Sequence, residues 1–312
     1  MKKKFNLNFI LILIGVVFLY IFPVFKDYYL LNVFSIAVIY AVYAASWDFL
    51  SGFTGKENFG HAAFIAIGGY MIGFISSVYP IKPFLSIPLA AVVSAIFGIL
   101  IGLPTLKLKG PYFALATLAV ATIFEKLSIS LSDLTGGEEG IYGIEFLTQG
   151  QISSFYFVLT FAVLAILIMY ILGKSNFGLI LKSLRSDEDA ARALGIKINF
   201  YKISAFAVSS MFAGIAGSIV AHFYGYIGPD IVYPLSLNSI IMAVVGGIGG
   251  IVPAALGGFF LTFISEMLSE FGDWNQLLYT VVLILSTLFL PSGIFNYLGA
   301  KIRTIGSKAG EK

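Results

Sequence analysis

Few side chains in this 312-residue chain are of the types that carry out acid–base, nucleophilic or metal chemistry. The sequence has no cysteine and only two histidines, His61 and His222, so disulfides and cysteine-ligated metal sites are excluded. Neither histidine has a second ligand at metal-binding spacing, and no Ser/His/Asp set or paired carboxylates indicate an active site. We therefore predict no catalytic residue and no metal site, and we expect both histidines to be hydrogen-bonded packing residues.

Glu125 and Lys126 are unusual because they interrupt a long apolar stretch. An ionisable side chain at membrane depth is costly and is therefore a functional candidate. Neighbouring residues on a helix point about 100° apart, so we expect this pair to be poorly placed to neutralise each other. Two interpretations of Glu125 stay open: it lines a translocation pathway or gate, or it makes a structural contact.

The run Gly173-Lys174-Ser175 ends like a phosphate-binding loop, but the rest of that motif is missing. Ile168 occupies the position of the glycine that the motif requires, and an apolar helix precedes the run where a strand is expected. We attribute the match to chance and expect no cofactor, and in particular no ATP, to bind to this chain.

The composition indicates which elements carry these residues. Hydrophobic residues make up 59% of the chain and charged residues 11%, with a mean hydropathy of +0.95, whereas a soluble domain carries about 25% charge. This excludes a soluble enzyme, and the net charge of +3 is too small to indicate nucleic-acid binding. Uncharged runs of about 20 residues predict an all-α integral membrane protein with about ten transmembrane helices in one domain, residues 1–312. The predicted spans are 9–25, 30–50, 60–79, 84–104, 111–130, 153–172, 203–223, 235–249, 251–269 and 275–297.

The basic residues orient these spans. Of the 19 Lys and Arg residues, all but Lys26, Lys82 and Lys126 fall in segments on one side of the predicted membrane. Because cytoplasmic segments carry an excess of Lys and Arg, this asymmetry places the N- and C-termini in the cytoplasm. The long loop 131–151, which has acidic but no basic residues, then lies outside.

A glycine-rich break separates the eighth and ninth predicted spans, and it contains Gly246, Gly247 and Gly249. Broken membrane helices expose backbone N–H and C=O groups, which can bind polar groups without fixed charges. These glycines and Asn238, which precedes them, are therefore candidate pathway residues. Close helix packing explains the glycines about equally well.

The one long cytoplasmic loop, residues 173–202, contains a predicted helix of about two turns. Ser186 is expected to cap its first turn, and Gly195 is expected to end it in a left-handed conformation. The helix has too little apolar area to bury itself, so it suits a shallow groove on a partner protein. The residues assigned to this coupling element are Ser186, Glu188, Asp189, Ala190, Ala191 and Gly195.

Several stretches carry a resemblance to a known family. The run from Asp189 to Gly195 resembles the Glu-Ala-Ala-x-x-x-Gly cytoplasmic loop of ABC importer permeases, with Asp in the place of Glu. The whole chain is similar to permeases of branched-chain amino acid importers of the leucine/isoleucine/valine type, in the class of their M subunit. His61 lies in the first matching stretch and joins the candidate pathway residues for that reason. The matching stretches are SGFTGKENFGHAAFIAIGGY (51–70), GLPTLKLKGPYFALATLA (102–119), LTGGEEGI (134–141), SDEDAARALGI (186–196) and VVGGIGGIVPAALGG (244–258).

The resemblance implies a permease subunit of an ATP-driven (ABC) importer that receives branched-chain or related amino acids from an external binding protein. ATP and Mg would be bound by two partner ATPase subunits, and a second permease would complete a heterodimer that alternates its access. The implied location is the inner (plasma) membrane of a prokaryote. Two alternatives stay open: a permease of a urea or short-chain amide importer, and an ion-coupled secondary amino acid carrier that uses buried carboxylates.

Overall fold

The computed structural model describes residues 7–25, 27–79, 82–108, 110–232, 235–268, 274, 280–281, 284–285, 288–290 and 292–309. The helices of the first half are α1 (Leu7–Ile21), α2 (Tyr28–Thr54), α3 (Ala62–Val78), α4 (Pro83–Thr105), α5 (Pro111–Ser130) and α6 (Ser132–Thr135), with a 3-10 turn over Phe22–Phe25. Those of the second half are α7 (Gln151–Lys174), α8 (Asn176–Ser186), α9 (Glu188–Ala193), α10 (Ile198–Tyr224), α11 (Pro229–Val232), α12 (Leu235–Gly246), α13 (Ile251–Leu268) and α14 (Ile294–Ala309).

Helix α2 forms the centre of the protein, because its apolar and small residues from Leu31 to Thr54 are almost all buried. Asp27 caps its first turn by accepting a hydrogen bond of 3.0 Å from the Leu30 N–H. The helix ends at Gly55, which adopts the left-handed conformation with φ 70°. Helices α7, α10, α12 and α13 pack around it.

Helix α10 is the second central helix, and small residues let it approach α3 and α4 closely. A Cβ atom at Gly68 of α3 would lie 2.6 Å from the Cα of Gly214 in α10. A Cβ atom at Gly98 of α4 would lie 2.7 Å from the Cβ of Ser210. Neither position has room for a side chain, which is how membrane helices associate where lipid provides no hydrophobic drive.

Helices α4, α5 and α7 form the periphery of the protein. They expose large apolar side chains, among them Val92 and Leu100 of α4, Leu115 of α5 and Leu164 of α7. Within the described ranges, seven helical stretches are long and apolar enough to cross a membrane. The fold is that of a helical membrane protein, as predicted, while the count of about ten spans stays a prediction.

The predicted spans agree closely with the observed helices, except at the last one. The second to ninth spans correspond to α2, α3, α4, α5, α7, α10, α12 and α13. Most of the tenth predicted span, 275–297, lies outside the described residues. Its predicted end is wrong, because Gly293 adopts φ 85° and a separate helix, α14, runs from Ile294 to Ala309.

A small sheet joins two loops that the sequence leaves unconnected. Strand β1 (Ile141–Tyr142), in the long loop after α5, pairs in antiparallel fashion with β2 (Tyr226–Ile227), which directly follows α10. The rings of Tyr142 and Tyr226 stack with their centroids 4.4 Å apart. The loop between α5 and α7 is therefore fixed to the end of α10.

Candidate coupling and translocation site

The short helix α9 is capped by Asp187. The sequence predicted Ser186 as the cap, and this prediction is wrong. The Asp187 Oδ1 accepts hydrogen bonds of 3.0 Å from the Asp189 N–H and 2.9 Å from the Ala190 N–H. Ser186 is instead the last residue of α8, where its hydroxyl donates to the Lys182 carbonyl oxygen at 3.2 Å. Only Asp187 has the extended backbone that a cap requires, because α8 continues through Ser186.

The end of α9 is a Schellman motif. Gly195 has the left-handed conformation expected from the sequence, with φ 79°. Its N–H donates to the Arg192 carbonyl oxygen at 3.0 Å, and the Ile196 N–H donates to the Ala191 carbonyl oxygen at 3.2 Å. These two bonds satisfy carbonyl groups that the helix would otherwise leave without partners.

Ala190 and Ala191 of α9 face in different directions. Ala190 is exposed, but Ala191 is only 3% exposed and belongs to the apolar core of this chain. Ala191 is thus covered by its own protein, because a helix of six residues has to bury one face, and its contact with a partner groove stays a prediction. The most exposed apolar side chain here is Leu194, at 81%.

Glu188 joins α9 to the first turn of α10. Its carboxylate forms an ion pair with the ammonium of Lys202, which is 2% exposed, and a longer one of 3.6 Å with Arg192. Burial by itself raises the pKa of Glu188, but the hydrogen bond and the charge of Lys202 outweigh it, so that the pKa is lower than usual. The negative charge of Glu188 is thus favoured in the folded protein.

Asp189, in contrast, lies on the outer side of α9. Its side chain is almost fully exposed and pairs with Arg192 at 3.2 Å between Oδ1 and Nη1. It does not reach back to the start of the helix as a capping-box acid would. In this chain it is therefore Glu188, and not Asp189, that makes the buried contact.

A shallow groove lies beside the end of α9. It has a volume of about 270 Å³ and is lined by Arg192, Ile196, Lys197, Ile198, Asn199 and Phe200. The Phe200 ring is 62% exposed at its edge, close in sequence to Leu194. Leu194 and Phe200 are thus two exposed apolar side chains beside the basic residues Arg192 and Lys197.

The glycine-rich break is a tight junction between α12 and α13. Gly247 and Gly249 have φ values of 132° and 79°, which residues other than glycine rarely adopt. Gly246 packs against Gly257 of α13, where a Cβ atom would lie 2.9 Å from the Gly257 Cα. The break is therefore a close backbone contact, and it positions the Gly249 N–H for the side chain of Asp48, which accepts a hydrogen bond from it at 2.7 Å.

Arg185, in the last turn of α8, reaches the same junction. Its Nη1 donates a short hydrogen bond to the Gly52 carbonyl oxygen in α2. A Cβ atom at Gly249 would lie 3.0 Å from this Nη1, and a Cβ atom at Gly52 would lie 2.8 Å from the Gly249 nitrogen. Helices α2 and α8 and the glycine junction thus meet at one point.

Asp48 and Arg185 were missed as site residues by the sequence analysis. The signal for Asp48 was a lone acid in an apolar run, but the predicted second span ended at residue 50, which put Asp48 at a membrane boundary. Helix α2 continues to Thr54, so that Asp48 lies about 9 Å inside its end and is completely buried. No local signal marked Arg185, because its partner is a distant backbone carbonyl group.

Lys182 adds a second positive charge beside this point. Its ammonium lies 4.4 Å from the centroid of the Phe53 ring, a cation–π contact. Burial lowers the pKa of Lys182, and the neighbouring Lys174 and Arg185 lower it further, while the carboxylate of Asp48 acts in the opposite direction. Lys182 and Arg185 therefore both provide positive potential near Asp48.

His61, a candidate pathway residue, is completely buried and hydrogen-bonded. Its Nε2 lies 2.8 Å from the Ser46 hydroxyl, and its ring stacks on Tyr43 with the centroids 4.9 Å apart. The other histidine, His222, lies 2.6 Å from the Ser86 hydroxyl through Nε2 and 2.6 Å from the Glu145 carbonyl oxygen through Nδ1. His61 thus contacts the preceding helix α2, whereas His222 joins segments that are distant in the sequence.

Glu125 lies on the peripheral helix α5. It forms a long ion pair with Lys126, with 3.9 Å between Oε1 and Nζ. Both are partly exposed, Lys126 more than Glu125. Asn238 is half-buried on α12, next to the completely buried Ser239.

The structure thus connects two of the predicted groups. Helix α9 and the glycine junction lie on either side of Arg185, which bonds to Gly52 beside the junction, whereas Glu125 and His61 have their own separate contacts. In the described part of the chain, no group of three His, Cys, Asp or Glu side chains is arranged to hold a metal ion.

Comparison with known proteins decides what this arrangement belongs to. The profile of the family described as "Branched-chain amino acid transport system / permease component" matches residues 29–289. The chain belongs to this permease family. The match includes the glycine junction, the coupling helix and every residue discussed as a candidate site.

Individual relatives of the permease are similar over most of their length. The high-affinity branched-chain amino acid transport system permease protein LivM of Salmonella typhimurium is 27% identical over 294 residues, covering 84% of this chain and 69% of that protein. BraD of Pseudomonas aeruginosa, a permease protein of the same kind of system, is 27% identical over 86% of this chain and 94% of its own. A probable LivH permease protein of Methanocaldococcus jannaschii is 27% identical over 81% and 87%.

Proposed function

We propose that this permease is the membrane-spanning subunit of an ATP-driven (ABC) importer for branched-chain or related amino acids, which it receives from an external binding protein. The observation that carries the proposal is the family match over residues 29–289. Relatives named as permeases of branched-chain amino acid transport systems support the substrate class. Similarity to a LivM protein over most of the chain supports the M-subunit class.

The complete transporter in this proposal contains several other chains. Two ABC ATPase subunits bind ATP and Mg and hydrolyse the ATP, and a second permease forms a heterodimer with this one. The transporter lies in the inner membrane of a prokaryotic cell, with the N- and C-termini of this chain in the cytoplasm. This chain contributes the transmembrane helices and the coupling loop 173–202.

The surface that contacts the ATPase in this proposal is formed by Leu194, Ile196 and Phe200, and we call it the docking surface. Its support is the exposure of Leu194 and Phe200 beside the groove at the end of α9. Buried apolar anchors contribute most of the energy of such contacts. Ala191 and Glu188 support the surface from beneath, through the core and through Lys202.

Substrate passes between the two permeases in this proposal, and the candidate pathway or gating residues are those of the sequence analysis. The N–H of Gly249 is already bonded to Asp48. This glycine would therefore act by allowing the junction to move, and not by binding the substrate directly. The other candidates are His61, Glu125, Asn238, Gly246 and Gly247.

The docking surface can be tested by the substitution Leu194→Arg in the assembled transporter. Because Leu194 is almost fully exposed, we expect normal membrane insertion, with retention of the ATPase subunits and ATP-dependent leucine uptake reduced about tenfold or more. Uptake is measured in membrane vesicles, and retention by co-purification. Leu131→Arg, the same substitution at an exposed residue beside the outer loop, is the control and should keep the ATPase.

The outcomes separate the proposal from its alternatives. If Leu194→Arg keeps both the retention of the ATPase subunits and the uptake of leucine, the proposed docking surface is wrong. Uptake that is driven without ATP and collapses with an ionophore would favour a secondary carrier. ATP-dependent uptake of urea or short-chain amides, without uptake of leucine, would keep the importer and replace its substrate.

A further inference from the structure

The meeting point of α2, α8 and the glycine junction is built from contacts that neither the family match nor the docking surface requires. The Asp48 carboxylate accepts a hydrogen bond of 2.7 Å from the Gly249 N–H, and the Arg185 guanidinium donates one to the Gly52 carbonyl oxygen. Asp48 and Gly52 are one turn apart on α2, so the two contacts are adjacent. Together they join the end of α8 to the junction between α12 and α13.

The position of Arg185 in the chain makes this contact relevant to α9. A single residue, Ser186, separates it from Asp187, which caps α9. A displacement of α9 therefore has to move Arg185 or break its bond to Gly52. The backbone at Gly52 is packed too tightly to absorb such a displacement itself, because a Cβ atom there would meet the Asp48 side chain and the Gly249 nitrogen. The displacement therefore reaches Gly249.

The junction itself is suited to respond. Gly247 and Gly249 have positive φ values and connect two apolar helices of 12 and 18 residues. Hinges are commonly a few residues between elements that absorb a large change of φ and ψ. A buried acid inside a membrane helix is costly unless its oxygens have partners, and Asp48 has a partner in the backbone of this hinge, the Gly249 N–H.

We propose that Asp48 and Arg185 are positioning residues that transmit displacement of the coupling helix to the glycine junction, and we call these two residues and their bonds the Asp48–Arg185 link. The inference rests on the proposed function, since displacement of α9 is driven by the ATPase subunits. It adds to that function a physical route from α9, through α8 and α2, to the connection of α12 and α13. The route requires that loss of either side chain loosens the junction.

The first test needs no transport and uses the purified permease. Hydrogen exchange of the backbone amides at residues 246–250 is compared between the wild type and Arg185→Gln. Arg185 lies beside Gly249, so exchange at that amide can change locally, whereas the Gly246 backbone packs against Gly257 and reports on the junction as a whole. We expect exchange there to become at least about tenfold faster, with helices such as α4 unaffected. Lys174→Gln, which removes a positive charge from the same loop, is the control and should leave exchange at the junction unchanged.

The second test measures coupling in the complete transporter in liposomes. Leucine uptake and ATP hydrolysis are measured in the same vesicles for Asp48→Ala, Arg185→Gln and the double variant. We expect the leucine transported per ATP to fall at least about fivefold, while hydrolysis and assembly stay within about twofold, and the double variant to resemble the single ones because both act on one link. Asp48→Asn, which keeps an oxygen acceptor, and Arg185→Lys should restore much of the coupling.

Each result decides the inference. Unchanged exchange in Arg185→Gln overturns it, and so does faster exchange with an unchanged amount of leucine per ATP, because the contacts would then be structural only. If Asp48→Ala does not fold, Arg185→Gln provides the comparison by itself, with Arg185→Lys as the variant that should restore the coupling. Failure of the wild-type transporter to import any amino acid would overturn the proposed function, and this is visible without any variant.

Discussion

At the scale of single residues, the ion pair between Glu188 and Lys202 is the contact whose removal should matter most in the loop. Lys202 is buried, so its ammonium cannot be hydrated if Glu188 is lost. Exposed ion pairs contribute little to stability, but an unpaired buried charge is costly. Asp189 and Arg192 form an exposed ion pair. The pair of Glu188 and Lys202 is different, because removal of Glu188 would leave the buried Lys202 unpaired.

We expect Glu188→Ala to lower the free energy of unfolding by about 1–3 kcal/mol, because Lys202 then stays buried without a partner. Part of the effect is screened, since Glu188 itself is 35% exposed. The measurement is thermal unfolding of the purified permease in detergent. Asp189→Asn serves as the matched control, with an expected change below about 0.5 kcal/mol. Equal effects of the two substitutions would contradict this account.

The same contact predicts a dependence on pH. A carboxyl group with a lowered pKa in the folded protein contributes stability above its unfolded pKa, and this contribution is lost as the pH falls through the folded pKa. Glu188 is such a group. As the pH falls below the ordinary Glu pKa of about 4.3, the melting temperature of the wild type should therefore decrease more steeply than that of Glu188→Gln.

At the scale of elements, α9 depends on its two ends. A helix of six residues is too short to be stable alone, so its cap at Asp187 and its Schellman motif at Gly195 decide whether it forms. Gly195 has open space around the position of a Cβ atom. Any effect of a substitution there thus comes from backbone conformation and not from a clash.

Gly195→Val should weaken α9 by about 1–2 kcal/mol, because a β-branched residue is strained in the left-handed conformation. We expect weaker retention of the ATPase subunits while the transmembrane helices stay intact. Co-purification from detergent measures the first, and circular dichroism the second. Gly195→Asn is the informative comparison, since asparagine tolerates this conformation and should retain the ATPase better. Equal losses for the two variants would show that another property of the glycine matters.

At the scale of the whole molecule, α2 and α10 form a buried centre, and α4, α5 and α7 form an apolar exterior. The structure by itself has no membrane, so the orientation depends on the distribution of Lys and Arg. The absence of cysteine from the sequence makes this orientation easy to test. Both Glu139, in the loop after α6, and Ser186, at the end of α8, are exposed.

A cysteine at Glu139 should react with an impermeant thiol reagent in intact cells, because the loop around it is predicted to lie outside. A cysteine at Ser186 should react only after the membrane is opened. The measurement is the labelled fraction of each variant before and after permeabilisation, with the wild type as the unlabelled control. Labelling of Ser186→Cys in intact cells would reverse the predicted orientation.

The sequence predicts the long helices of this fold well, because runs of about 20 apolar residues leave few alternatives. It predicts the details of the site less well, for identifiable reasons. Ser186 and Asp187 are both good caps, and only the preceding helix decides between them. Ala190 and Ala191 are chemically identical, and only packing shows that Ala191 is buried. The partner of Arg185 is a backbone group in a distant helix, which no residue type reveals.

The pairing of β1 with β2 has a consequence for the order in which the chain matures. Four helices, α7 to α10, separate the two strands in the sequence. The pairing cannot begin until α10 has left the ribosome and crossed the membrane, because Tyr226 follows directly on it. Contacts between distant segments form slowly for the same reason. The loop after α5 therefore stays unpaired and accessible to proteases through much of biosynthesis. The time at which it becomes resistant to cleavage shows when the chain is complete through α10.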